Sequence, residues 1–165
     1  YRILKIYIVL FIVPIMRTLE ILEKMKKQPV FSLGLLNIGN RSYANLYLHR
    51  LKRRKLVESI EKNLYTVFKD PFLIASRIVW PSYISCWSAL KFYNFTEQVP
   101  RAIFVVVPYY KKQIIFQNTP IIFIAGKGNK LFGYTKVDYH GFDIFIADKE
   151  KAIIDTALFR KASFS

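Results

Sequence analysis

The sequence has a single cysteine, Cys86, among its 165 residues. One thiol excludes an internal disulfide and a cysteine-based zinc cluster, and it fits a reducing, cytoplasmic setting. Histidine is nearly as scarce: His49 and His140 are the only two, far apart and without HxxxH-type spacing. No metal site and no cofactor are therefore expected. The chain shows no internal repeat and no low-complexity tract. Acidic residues are few, 11 against 26 lysines and arginines, which leaves a net charge of +15. Such an excess implies self-repulsion unless a polyanion, nucleic acid or an anionic membrane, is the usual neighbour. A hydrophobic fraction of 53% with 16% aromatics excludes a disordered chain. The length suffices for two small domains.

Long apolar runs are missing too. Tyr1 to Ile15, YRILKIYIVLFIVPI, has the look of an anchor with Arg2 and Lys5 at its head. A spanning helix needs roughly 20 apolar residues, Pro14 interrupts this run, and no small-residue cleavage pattern follows. No membrane partner is expected. Met16 opens a well-patterned helix, so translation is expected to start there, with residues 1–15 an extension outside the native fold.

From Met16 to Lys27, Met16, Leu19, Leu22 and Met25 recur every three residues beside Glu20, Glu23 and Lys24, which predicts an amphipathic helix. Gln28-Pro29 ends it. A second short helix, Ser32 to Asn37, is closed by Gly39. Asn40 or Ser42 caps a third, with Ala44, Leu48 and Leu51 on one face and Asn45, His49, Lys52 and Arg53 on another. Leu56 to Ile60 and Leu64 to Phe68 are β-prone runs around Glu61-Lys62-Asn63, and they read as a hairpin wing with Asn63 tolerating a left-handed backbone at its tip. The order predicts a winged helix-turn-helix over residues 16–69.

Asp70-Pro71 marks the boundary of a second domain, residues 70–165. Two apolar helical stretches follow, Phe72 to Val79 and Ser85 to Tyr93, split by Trp80-Pro81-Ser82. Five strands come next: Arg101 to Val107, Ile114 to Gln117, Ile121 to Ile124, Tyr134 to Asp138 and Phe142 to Ile146. Asp148 then caps a last helix with Glu150 in its first turn and Ala152 to Phe159 as its body. The fold class is α+β, with a small mixed α/β C-terminal domain.

The strongest functional feature is Asn40 to Lys55, NRSYANLYLHRLKRRK, in which seven basic or potentially basic side chains share a helix with an apolar stripe. Counterion release would drive that surface onto DNA. Recognition helices reach base edges through their first turns, which nominates Arg41, Ser42, Tyr43, Asn45 and Leu46, with His49, Arg50 and Arg53 nearer the backbone. Lys62 at the wing tip is a candidate phosphate contact, set against the plainer and commoner reading of an exposed turn lysine that serves solubility. The bland reading, a solvated helix end whose cations complement the dipole, has equal weight until the wing and preceding helices are counted.

In ISCWSAL, Ile84 to Leu90, no neighbouring His or G-x-S-x-G turn supports a nucleophile, and core packing is the better account. Asp138, Asp143, Asp148, Glu150 and Asp155 compose a metal-dependent nuclease only on paper, since their spacing has no signature. Asp155, among Ile153, Ile154, Ala157 and Leu158, needs a partner if buried, and Lys151 one turn earlier is the candidate. The many aromatics lack the interleaved basic pattern of a single-strand platform and read mostly as core.

The ordered segments SYANLYLHRLKRRKLVESIEKNLYTV, DPFLIASRIVWPSYISCWSAL, TEQVP and ADKEKAIIDTAL resemble the AbiEi family of antitoxins over nearly everything after Met16. The resemblance implies a winged helix-turn-helix joined to an antitoxin domain. Such proteins repress their own operon and counter a nucleotidyltransferase-like toxin in a type IV toxin-antitoxin system, where a stable complex is not required. By the resemblance, Arg41 to Arg54 and the wing contact double-stranded DNA of the protein's own promoter. Asp148, Glu150, Lys151 and Asp155 match the late motif without an assigned role. The wing tip has Asn63 where glycine is common, and family members continue past a position equivalent to Ser165, so a truncated C-terminal domain is one expectation. The alternatives are a stand-alone winged-helix regulator and the nuclease; neither the leading reading nor the first alternative is an enzyme.

Overall fold

A computed structural model describes residues 18–36, 40–126 and 131–159. The expected extension at residues 1–15, the start of the first helix at Met16 and the closing Gly39 lie outside them. The chain is an α+β protein and divides into two compact units, one ending at Phe68 and the other beginning at Lys69.

In the first unit, helix α1 (residues 18–26) is followed by a 3-10 turn, Leu33–Leu36, where a helix from Ser32 is expected; its expected last residue, Asn37, lies outside the described residues. Helix α2 spans Arg41–Arg53. Asn40 caps it, its Oδ1 accepting the Tyr43 N–H at 2.9 Å, which satisfies one of the amide donors that a helix start leaves open. Strands β1 (Glu58–Glu61) and β2 (Leu64–Thr66) form the hairpin, and Phe31 bridges to Tyr65 through two backbone hydrogen bonds of 2.9 Å. Ile21, Met25, Phe31, Leu48, Leu51 and Val57 make the core. The α1 stripe differs from the three-residue spacing in the sequence: Leu19 is exposed, and Ile21 and Met25 are buried. A strict period of three drifts around a helix of 3.6 residues per turn, whereas i and i+4 stay on one face.

The second unit is built on a six-stranded sheet in the order β5-β6-β4-β3-β8-β7. Its strands are β3 (Tyr83–Ile84), β4 (Ile103–Val107), β5 (Ile114–Phe116), β6 (Thr119–Ala125), β7 (Tyr134–Tyr139) and β8 (Phe142–Ala147). β4 runs parallel to β6 and antiparallel to β3, and β3 runs parallel to β8. All five β4 residues are buried, so both faces of the sheet are covered at its centre, as a continuous apolar run requires. The β5–β6 and β7–β8 hairpins close through two-residue loops, Gln117-Asn118 and His140-Gly141, with every loop residue at positive φ. That is the turn whose twist matches paired strands.

Three helices accompany the sheet: α3 (Pro71–Ala75), α4 (Cys86–Phe92) and α5 (Lys149–Leu158). α3 stops at Ala75 rather than Val79, where the Ser76 hydroxyl donates to the Leu73 carbonyl at 2.7 Å and the chain turns. Ser85, expected inside a helix, is the residue that precedes α4. β3 lies between the two helices, on residues the sequence leaves unassigned.

Candidate nucleic-acid interface

The sequence of α2 separates two faces. Ala44, Leu48 and Leu51 are buried, and Tyr47 is partly buried against the same core. On the opposite side Ser42, Leu46, His49 and Arg53, spaced by four, three and four residues, form an exposed stripe. Arg41, Tyr43, Asn45 and Arg50 flank it and are exposed as well. No acidic residue occurs between Asn40 and Val57. Every nominated α2 side chain therefore faces solvent, at positions where burial would have disqualified it.

The carboxyl end of α2 brings the charge toward the hairpin. The Leu56 N–H donates to the Leu51 carbonyl at 3.1 Å and the Lys55 N–H to the Lys52 carbonyl at 2.9 Å. This pair of bonds is a Schellman closure, and it places Lys55 at φ +57 in the left-handed position that glycine usually takes. Lys52 stands 5.9 Å above the Tyr65 ring in β2, a contact within the unit that sequence spacing does not reveal. Lys62 and Asn63 form the exposed loop between β1 and β2, with Asn63 at φ +64. The arrangement offers a convex cationic helix face and a separate cationic loop tip.

The late motif is assembled differently. Asp148 is the N-cap residue of α5, as expected, and its carbonyl accepts the Ala152 N–H at 2.8 Å, but its side chain makes no capping bond; Glu150 in the first turn is exposed. Lys151 and Asp155 are buried and joined at 2.7 Å, as an i, i+4 pair. The other carboxylate oxygen of Asp155 accepts from Ser85 Oγ at 2.7 Å and from the Tyr83 hydroxyl at 3.2 Å. Burial, and after it the neighbouring Asp155 charge, raises the Tyr83 phenol above its ordinary pKa. Ser85 spends its hydroxyl on Asp155 rather than on capping α4. Four polar groups thus satisfy one another in the interior and tie α5 to β3. Tyr83 and Ser85 are 72 and 70 residues from Asp155, which is why the sequence exposed only Lys151.

The remaining chemistry is committed to structure. Cys86 is fully buried, and Ser88 Oγ donates to the Ala102 carbonyl at 3.3 Å while accepting the Phe104 N–H at 3.0 Å. Asp138 and Asp143 face each other across β7 and β8, with Asp143 paired to Lys136 at 2.9 Å. Among the described residues no three His, Cys, Asp or Glu side chains group as metal ligands. Among the same residues no helix is long and apolar enough to cross a membrane. Compared with known proteins, the chain matches no family model and no curated sequence.

Proposed function

We propose that residues 16–69 are a winged helix-turn-helix that binds double-stranded DNA, with α2 as the recognition helix and the β1–β2 hairpin as the wing. The observation that carries this reading is the exposed, acid-free face of α2, set opposite the stripe that anchors the helix in its core. Arg41, Ser42, Tyr43, Asn45 and Leu46 on the first turns are the base-edge and groove contacts, because a recognition helix enters the major groove with that end. His49, Arg50 and Arg53 lie further along, and these with Lys62 at the wing contact phosphates. Arginine and asparagine supply the paired donor and acceptor geometry that reads guanine and adenine.

Within that reading the protein is an autorepressor and antitoxin of the AbiEi type, opposing a nucleotidyltransferase-like toxin encoded beside it. The resemblance of the four sequence segments supports this finer assignment. A gel shift with the protein's own promoter tests the DNA reading. A complex at low salt that weakens with Arg41→Ala and Arg53→Ala supports it; no complex, or one indifferent to both substitutions, overturns it. Co-expression with the product of an adjacent nucleotidyltransferase-like gene tests the antitoxin role, through rescue of growth.

A further inference from the structure

The second unit holds an open cleft of about 390 Å³, a size at which small-molecule sites begin. Its lining comes from the start of α3, the end of α4, the segment before β4, the first residues of β4 and β6, and the last residue of β7. One wall is aromatic. The Phe72 ring lies 6.0 Å from that of Phe92 at an interplanar angle of 6°, and 5.2 Å from that of Tyr139 at 45°. Val99, Pro100 and Ile103 add aliphatic surface, and Val99 is 77% exposed. A flat aromatic guest suits such a lining, because ring–ring contact adds to what is gained by displacing water.

The polar side chains of the cleft are committed to the fold, with one exception. Asp70 Oδ1 accepts the Phe72 N–H at 2.8 Å and the Leu73 N–H at 3.4 Å, and the carboxylate also holds the Tyr139 hydroxyl. Ser88 Oγ is taken up by the Ala102 carbonyl and the Phe104 N–H, and Thr119 Oγ1 donates to the Gln117 carbonyl at 3.4 Å. Lys91 is the exception. Its ammonium makes one long bond, 3.4 Å to the Glu97 carbonyl, and among the described residues it forms no ion pair with a carboxylate. An ammonium has three donors and no acceptor, so most of its capacity is left over. Lys91 is half-buried, which places that charge on the lining of a largely apolar cleft. Asp70 is the only carboxylate in the lining, and three donors already meet its charge. The unmet demand in the cleft is therefore for an anion.

We infer that this cleft binds a small aromatic carboxylate, with its ring against Phe72 and Phe92 and its anionic group on Lys91. All the lining residues belong to the second unit, so the inference is independent of the DNA reading of α2. The full chain is titrated by calorimetry with naphthoate, neutral naphthamide and cationic naphthylmethylamine at one ionic strength. Naphthoate binds about tenfold more tightly than naphthamide, as a charge-assisted contact at a half-exposed site gives, and the amine binds most weakly. Lys91→Met keeps the alkyl stem and brings naphthoate down to the level of naphthamide, whose own affinity is unchanged and reports that the cleft is intact. Lys91→Arg retains the preference for the acid. Intermolecular NOEs from the naphthyl protons to the Phe72 and Phe92 rings give the location. No binding of naphthoate, an amide or amine bound as tightly as the acid, or a preference that survives Lys91→Met overturns the proposal. So do octanoate bound as tightly as naphthoate, which makes the cleft a site for aliphatic acids, and NOEs confined to other surfaces, which make the contact one of a cationic protein with any anion.

Discussion

Lys151 Nζ lies 2.7 Å from Asp155 Oδ1 across one turn of α5, with the two side chains 6% and 0% exposed. Removing one member of a buried pair strands the other charge in the interior, which costs about 3–5 kcal/mol, whereas replacing both by apolar groups is close to neutral. Asp155→Ala is therefore expected to lower stability by that amount, measured from the urea midpoint. Lys151→Met combined with Asp155→Leu is expected to recover part of the loss but not all. Ser85 and Tyr83 would lose their common acceptor in the double variant, and a buried hydroxyl left unsatisfied, as at Ser85, carries its own cost of about 1–3 kcal/mol.

What was readable before the structure follows from how local each interaction is. The Lys151–Asp155 pair was legible because both residues share one helix at a spacing that places them on one face. The Ser85 and Tyr83 contacts were not, because the sheet and α4 bring them in from far along the chain. β3 escaped for the same reason. Two residues, Tyr83 and Ile84, show no periodicity of their own and become a strand through β4 on one side and β8 on the other. The longer strands β4 to β8 fall within two residues of their expected bounds, where alternation or an apolar run spans enough chain to be seen. The aromatics as a class read mostly as core, but Tyr109 and Tyr110, in the connection between β4 and β5, are exposed.

The proposed DNA reading of the α2 face assigns it two kinds of contact that salt distinguishes. If α2 reads DNA as proposed, Arg53→Ala is expected to weaken promoter binding evenly across sequences, as loss of a phosphate contact does, and to lower the slope of log affinity against log salt by about 0.9. On the same reading Asn45→Ala is expected to act as loss of a base-edge contact. It leaves the slope unchanged and relaxes discrimination at one position by about 1–3 kcal/mol. Titrations of a promoter fragment and its single-base variants at several salt concentrations separate the two.

Tyr139 provides a pH dependence. Burial, then a hydrogen bond to Asp70 and the Asp70 charge, push its phenol up to about 12 from 10.0. Its folded pKa exceeds its unfolded one, so the neutral form stabilises the fold fully below pH 10.0, and that contribution is lost as pH rises to about 12. The stability of the second unit is expected to fall across this window, followed by chemical denaturation. Tyr139→Phe removes this part of the dependence, while Tyr83, whose phenol is raised as well, keeps its share.

Lys55 sets stability against binding at a single position. At φ +57 it occupies the left-handed closing position of α2, where a residue with a Cβ is strained by about 1–3 kcal/mol and glycine is not. Glycine gives back part of that gain through the freedom it confers on the unfolded chain, about 0.5–1 kcal/mol. Lys55→Gly is thus expected to raise the stability of the first unit by about 1 kcal/mol, the difference between these effects. The same change removes a cation from the end of the basic face, and promoter affinity is expected to drop with a salt slope smaller by about 0.9. Lys55→Ala is the control, since it removes the charge and keeps the strain. Equal affinity losses in the two variants, with stability raised only in the glycine variant, would show that a lysine stands in the strained position for its charge.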